Sequence, residues 1–188
     1  MRVCSWPGKN ELMRKYHDEE WCVPSHDDRF IFEMLNLEGA QAGLSWSTVI
    51  NKREEYLKAF HYFDIDYCAN LNDEDLENIR LNYGIIKNKL KIKAVKTNAL
   101  LTKELIREFG SLSNYFWAFV NHQPIINCWE KENQMPAETI ISQQISLDLK
   151  RRGFKFVGSV IIYSFMQAIG MVDDHIVECT YHTQNKRP

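Results

Sequence analysis

Along the 188 residues, apolar positions recur at helical spacing and seldom alternate. Between Asp27 and Ala42, one stripe holds Ile31, Leu35, Glu38 and Ala42, and the next holds Phe30, Met34, Leu37 and Gln41. Glu33 and Asn36 are left for the polar side. This periodicity predicts helices near 10–20, 27–40, 45–60, 73–81, 88–107, 112–120, 137–151, 156–170 and 173–179. Capping residues mark several starts: Asp27 before Phe30, Ser45 before Trp46, Asn72 before Asp-Glu-Asp, and Asn88 before a lysine-rich run. With 8 glycines and 5 prolines to break it, the chain reads as all-α. It is expected to form a single domain over 1–188, or two helical lobes with the terminal segments making one of them. Gln123 to Pro136 reads as the clearest linker, and Gln184 to Pro188 as a loose polar tail.

A hydrophobic content of 45% beside 26% charge suits a folded globular chain and excludes disorder. The most apolar stretch, Val157 to Val172, is interrupted by Ser159, Tyr163, Ser164 and Gln167 and is too short to cross a bilayer. The start, Met1 to Gly8, has no secretory h-region, so the expectation is a cytoplasmic protein with no membrane partner. Five scattered cysteines, Cys4, Cys22, Cys68, Cys128 and Cys179, do not form a disulfide framework. Cys22, Cys68 and Cys128 read as small, partly buried residues.

Net charge is only −2, yet the cations are segregated. Arg80, Lys87, Lys89, Lys91, Lys93, Lys96 and Lys103 follow one another with no acid between, and Lys150, Arg151, Arg152 and Lys155 form a second cluster. Such runs are either solvated faces or a surface for a polyanion. Leu81 to Lys89 joins two predicted helices through Gly84, Ile85 and Ile86. That segment resembles a helix-hairpin-helix element, in which Gly84 allows close approach to a DNA phosphate and Lys87, Lys89 and Lys91 add charge. An ordinary αα-hairpin is the alternative.

Two kinds of chemistry suggest themselves. Cys4 and His17 near the start and His175 and Cys179 near the end make a tetrahedral set for one structural zinc ion. With four protein ligands such a site has no open position for water, which argues against a zinc hydrolase and places chemistry elsewhere. Glu38 falls on the apolar side of its helix, where an unpaired carboxylate is costly unless it reaches solvent at the helix end. Trp6, Tyr16, Trp21 and Trp46 surround it in sequence. A carboxylate among indoles suits a flat ring that is cationic or donates hydrogen bonds.

Several blocks together resemble one family across essentially the whole chain: Cys4-Ser5-Trp6, Tyr16-His17-Asp18-Glu19-Glu20-Trp21, Leu37 to Trp46, Tyr83 to Ile86, Phe119 to Pro124, Arg152 to Gly158, Tyr163 to Ala168 and Asp174-His175. The family is the type I 3-methyladenine DNA glycosylases of base-excision repair. The resemblance implies a helix-hairpin-helix glycosylase fold with zinc on Cys4, His17, His175 and Cys179. It implies catalysis and base recognition through Glu38 and Tyr16, with Trp46 stacking on the base and Trp6 and Trp21 in the same pocket. Two positions depart from the family pattern: Met13 stands where a tyrosine wall is usual, and Cys22 where a glycine is usual. His182 is an additional candidate metal ligand.

The implied partners are double-stranded alkylated DNA and free 3-methyladenine as product, acted on by a monomer. N3-alkylation makes the nucleotide's base cationic and a good leaving group, and base flipping would bring it to the pocket. Leu44 is the candidate wedge for the vacated stack, with Gln41 beside it. Ile85 to Lys103 contains no acid where related hairpin glycosylases use an aspartate, so catalysis would lean on the lesion's own reactivity and on geometry. A zinc-stabilised DNA-binding module without catalysis is the competing reading. It has no use for a buried acid in an aromatic pocket.

Overall fold

The structure, a computed structural model, describes residues 3–185. The helices are α1 (Glu11–Glu19), α2 (Asp28–Gln41), α3 (Trp46–Ile50), α4 (Arg53–Ala59), α5 (Ile65–Asn70), α6 (Asp73–Asn82), α7 (Lys89–Phe109), α8 (Leu112–Ala118), α9 (Ile140–Arg152) and α10 (Ser159–Ala168). The starts foreseen from capping are realised: Asp27, Ser45, Asn72 and Asn88 each accept a first-turn amide. The all-α expectation holds for the architecture. No helix among the described residues is long and apolar enough to cross a membrane.

The core is built around α2, which packs on α10, α7, α3 and α8. Ile31 through Ala40 are all buried, so the helix has no solvent face and the polar side assigned to Glu33 and Asn36 does not exist. Both are satisfied internally. Arg53 Nε donates to Glu33 Oε1 at 2.7 Å, while its Nη1 reaches Glu20. Asn36 Nδ2 donates to the Phe32 carbonyl at 2.8 Å, and its Oδ1 accepts from Asn98 at 3.1 Å. Gly39 lets the turn around Phe156 press against α2, since a Cβ there would lie 3.2 Å from Phe156 Cβ.

The structure departs from the sequence reading in four places. The helix expected over 45–60 divides into α3 and α4, because Asn51 Nδ2 bonds back to the Ser47 carbonyl at 2.6 Å and ends the first ladder. The short α5, capped by Asp64, has too few residues to declare a period. Residues 173–179 are not helical. Val172–Asp173 pairs in parallel with Ile125–Ile126, inside the supposed linker, and Asp173 Oδ1 then accepts the His175 amide in a local turn that competes with helix formation. Lastly, Thr183–Asn185 forms a 3₁₀ turn, with Asn185 Nδ2 donating to the Val177 and Cys179 carbonyls, so the start of the supposed loose tail is ordered. The remainder of that tail, and the first two residues, lie outside the described residues. Cys22 and Cys68 are buried as expected, but Cys128 is exposed.

Candidate active site

Helices α1, α2, α3 and α10 enclose a cavity of about 280 Å³. α2 contributes Glu38 and Gln41 from its last turn, α1 contributes Tyr16, and Trp46 opens α3 directly after the Ser45 cap. Trp6 and Trp21 flank α1 in sequence and complete the aromatic wall. Trp6 and Trp21 meet edge-on at 5.0 Å between centroids, and Tyr16 and Trp46 are tilted at 5.1 Å. The remaining lining comes from positions with no site role expected from sequence: Ser164 and Gln167 on α10, and Glu132 and Met135 in the supposed linker. A polar pair three residues apart in an otherwise apolar helix was the available signal for the first two. Met13 is buried on α1 but is not part of this lining, so the wall role given to it is not seen.

Glu38 is 3% exposed, and its Oε2 has no hydrogen-bond partner. Burial alone pushes its carboxyl up to about 8. Five buried side-chain polar atoms among the described residues lack a partner, and four of them belong to this cavity: Trp6 Nε1, Glu38 Oε2, Gln41 Oε1 and Trp46 Nε1. Buried polar atoms are nearly always paired in folded proteins. Their concentration in one cavity marks a place built for a guest that supplies both donors and acceptors.

The neighbours fix the polarity of the cavity further. Tyr16 is held well above its ordinary pKa by burial and by nearby Glu38, so it keeps its proton and remains a donor. Gln167 Nε2 donates to Asp174 Oδ2 at 2.7 Å, and a carboxylate only accepts, so the amide oxygen faces the other way. Asp174 itself is saturated, receiving also Asn127, Trp129 and Tyr163 at 2.7 Å each. Glu132 is gripped by the Ser5 amide and by Ser5 Oγ, the latter at 2.8 Å.

Beside the aromatic wall, Cys4, His17, His175 and Cys179 converge, all four buried and their donor atoms within 4.8 Å of one another. Cys179 Sγ lies 3.5 Å from His175 Nδ1 and 3.8 Å from His17 Nε2, and Cys4 Sγ lies 3.8 Å from His175 Nδ1. Ligand bonds of about 2.0–2.3 Å in a tetrahedron give edges of this length. The outer nitrogens are engaged: His17 Nδ1 lies 2.7 Å from Asp18 Oδ1 and His175 Nε2 3.3 Å from the Trp21 carbonyl. Both rings thereby turn a free nitrogen inward. His182 stands apart, its Nε2 2.9 Å from the Asn127 carbonyl. Cys22, next to Trp21, adopts φ 61°, the left-handed conformation a glycine would take without strain. Its Sγ accepts the Asp174 amide at 3.3 Å.

The hairpin joins α6 to α7 and differs in detail from its expected role. The Gly84 amide donates to Glu55 Oε2 at 3.0 Å, Ile85 is buried, and Asn88 caps the Leu90 and Lys91 amides. Lys87 and Lys89 are exposed. Both basic clusters are also less naked in space than in sequence. Glu77 meets Arg80 and Lys89, Asp66 meets Lys103, and Asp148 and Glu108 meet Arg152. Leu44 is 44% exposed in the turn after α2.

An aromatic-walled cavity with an unpaired buried acid, set in a mostly helical scaffold, suits a flat, nitrogen-bearing ring. The family model described as methyladenine glycosylase matches residues 6–182. DNA-3-methyladenine glycosylase 1 of Escherichia coli (strain K12) is 44% identical over 186 residues, covering 99% of this chain and 100% of that protein. A crystal structure of 3-methyladenine DNA glycosylase I, 44% identical, superposes with a TM-score of 0.93 over 96% of this chain and 100% of the other. The Staphylococcus aureus enzyme of the same name, whose structure concerns 3-methyladenine recognition, does so at 31% identity and a TM-score of 0.94, covering 100% of this chain and 99% of the other. The chain belongs to the methyladenine glycosylase family.

Proposed function

We infer that the protein acts as its relatives are named: it is a DNA N-glycosylase that excises 3-methyladenine from alkylated DNA, the first step of base-excision repair. The observation that carries this reading is Glu38, a buried acceptor without a partner among aromatic rings. In the lesion the alkylated ring is cationic and carries an amino group. Flipped into the cavity, it stacks on Trp46 with Trp6 and Trp21 around it, while Glu38 accepts an amino hydrogen and Tyr16 donates. The glycosidic electron pair leaves with the base, which departs neutral. Water adds to the sugar cation and loses its proton to solvent, leaving an abasic site. No lysine lines the cavity among the described residues, which supports a monofunctional enzyme without a lyase step.

The remaining roles belong to the same proposal. The 81–89 segment acts as a helix-hairpin-helix contact for double-stranded DNA, through Lys87 and Lys89 more than through the Gly84 amide. Leu44 fills the space of the flipped base. The Cys2His2 set holds one structural zinc ion, which ties Cys4 and His17, in the wall that carries Trp6 and Tyr16, to the C-terminal turn. Two sulfurs and two inward imidazole nitrogens suit zinc in chemistry and in spacing. The whole chain works as a single glycosylase domain and as a monomer. Binding of free 3-methyladenine, followed by quenching of the pocket tryptophans, tests the base site. Above about pH 8, where the acid is ionised, Glu38→Gln is expected to weaken it at least tenfold, as loss of a charge-assisted hydrogen bond worth about 1.5–3 kcal/mol requires. Unchanged affinity refutes the assigned role.

A further inference from the structure

Lys91 belongs to the lysine-rich start of α7, where the sequence suggested charge for DNA, yet its ammonium points into the protein. Nζ donates to the carbonyl oxygens of Ala40 at 2.8 Å and Ala42 at 2.6 Å. It also lies 6.0 Å from the centroid of the Phe156 ring, and burial pulls its pKa down. Those two carbonyls belong to the C-terminal turn of α2, whose end groups otherwise have no intrahelical partner. The Gly39 and Gln41 carbonyls are taken by the Ala42 and Leu44 amides at 3.3 and 2.6 Å, so Lys91 completes the set.

The turn held in this way bears the functional residues. Glu38 lies just before it and Gln41 within it, both facing the cavity, and exposed Leu44 follows it. The ammonium bonds the backbone of the turn that follows Glu38, so it bears on the acid through the position of that turn. At its other end, Lys91 sits in the first turn of α7, three residues past the Asn88 cap that closes the hairpin.

We propose that Lys91 is a positioning residue that locks the α2 terminal turn to the hairpin helix, so that engaging a DNA phosphate at the hairpin places the Leu44 wedge and the base cavity in register with the lesion. The proposal rests on the excision reading above. It separates Lys91 from Lys87 and Lys89, which face solvent.

Two variants of the full chain test it: Lys91→Met, which keeps the stem and removes the donors, and Lys91→Arg, which restores two of them. Three quantities are read well below each variant's melting temperature: single-turnover release of 3-methyladenine from methylated duplex, affinity for free 3-methyladenine, and affinity for undamaged duplex over a salt series. Lys91→Met is expected to slow release by roughly 10- to 100-fold, as small misplacements in a catalytic geometry do. Free-base affinity and the salt slope stay unchanged, and Lys91→Arg recovers most of the rate. Unimpaired release by Lys91→Met, with only a lower melting temperature, reduces Lys91 to a helix cap and overturns the proposal. A salt slope smaller by about one makes it a phosphate contact and overturns it equally. Wild-type protein that releases no base would defeat the excision reading itself, whereas wild-type release beside an unimpaired Lys91→Met defeats only the positioning role.

Discussion

Glu38 occupies a position where a carboxyl group costs stability, which is what a binding residue waiting for its ligand does. Burial raises its pKa from 4.5 to about 8, so the folded protein holds a proton that the unfolded chain releases above pH 4.5. Its contribution is therefore most favourable below that pH and is lost as pH rises through about 8. Glu38→Gln should stabilise the protein by on the order of 3 kcal/mol at pH 7, with the gain vanishing near pH 4. Urea unfolding of both proteins at the two pH values measures this, and a difference independent of pH contradicts it. At this scale the sequence was informative about the acid and its aromatic company, because helical spacing and residue type suffice to place them on one side. It was silent about Glu132 and Met135, which reach the cavity through chain reversals that no local pattern encodes. Met13 was assigned to the wall from the resemblance alone, and its side chain lies outside the cavity lining.

Among the elements, α2 shows why a polar residue in a helical pattern does not guarantee a solvent face. Glu33 and Asn36 are buried because their partners, Arg53 and Asn98, arrive from α4 and α7, and those long-range pairings are invisible to periodicity. Arg53 pairs with two carboxylates, the half-buried Glu20 and the buried Glu33, with ion-pair distances of 2.7 Å. Arg53→Met should cost about 3–5 kcal/mol in urea unfolding at pH 7, since it strands both acids; a loss under about 1 kcal/mol would show that water screens them. Helix starts were legible because a cap is a local signal, whereas the break at Asn51 and the absence of a helix after Asp173 were not, because side-chain bonds to the backbone decided them. The hairpin carries its own test. Lys87→Ala with Lys89→Ala should weaken binding to undamaged duplex and flatten its salt slope by about one to two, leaving free-base affinity intact. An unaltered slope removes the hairpin from the DNA interface.

Across the whole molecule, the two termini meet at the Cys2His2 cluster, with Cys4 and His175 separated by 171 positions in sequence. A metal held there would close a long loop and order the wall that holds Trp6 and Tyr16, each one or two residues from a residue of the cluster. Metal analysis should find one zinc per chain, and chelation should lower the melting temperature and blunt base binding together; active protein with negligible metal contradicts the clasp. The two pairs were readable at sequence level because a Cys and a His lie near each other at each end, although the fold that joins them was not. All of the proposed roles serve one reaction, and its product is the most direct check. Methylated duplex DNA incubated with the wild-type protein, with the released material resolved by chromatography, should yield free 3-methyladenine and leave uncut abasic strands. Release of no alkylated base would contradict the account.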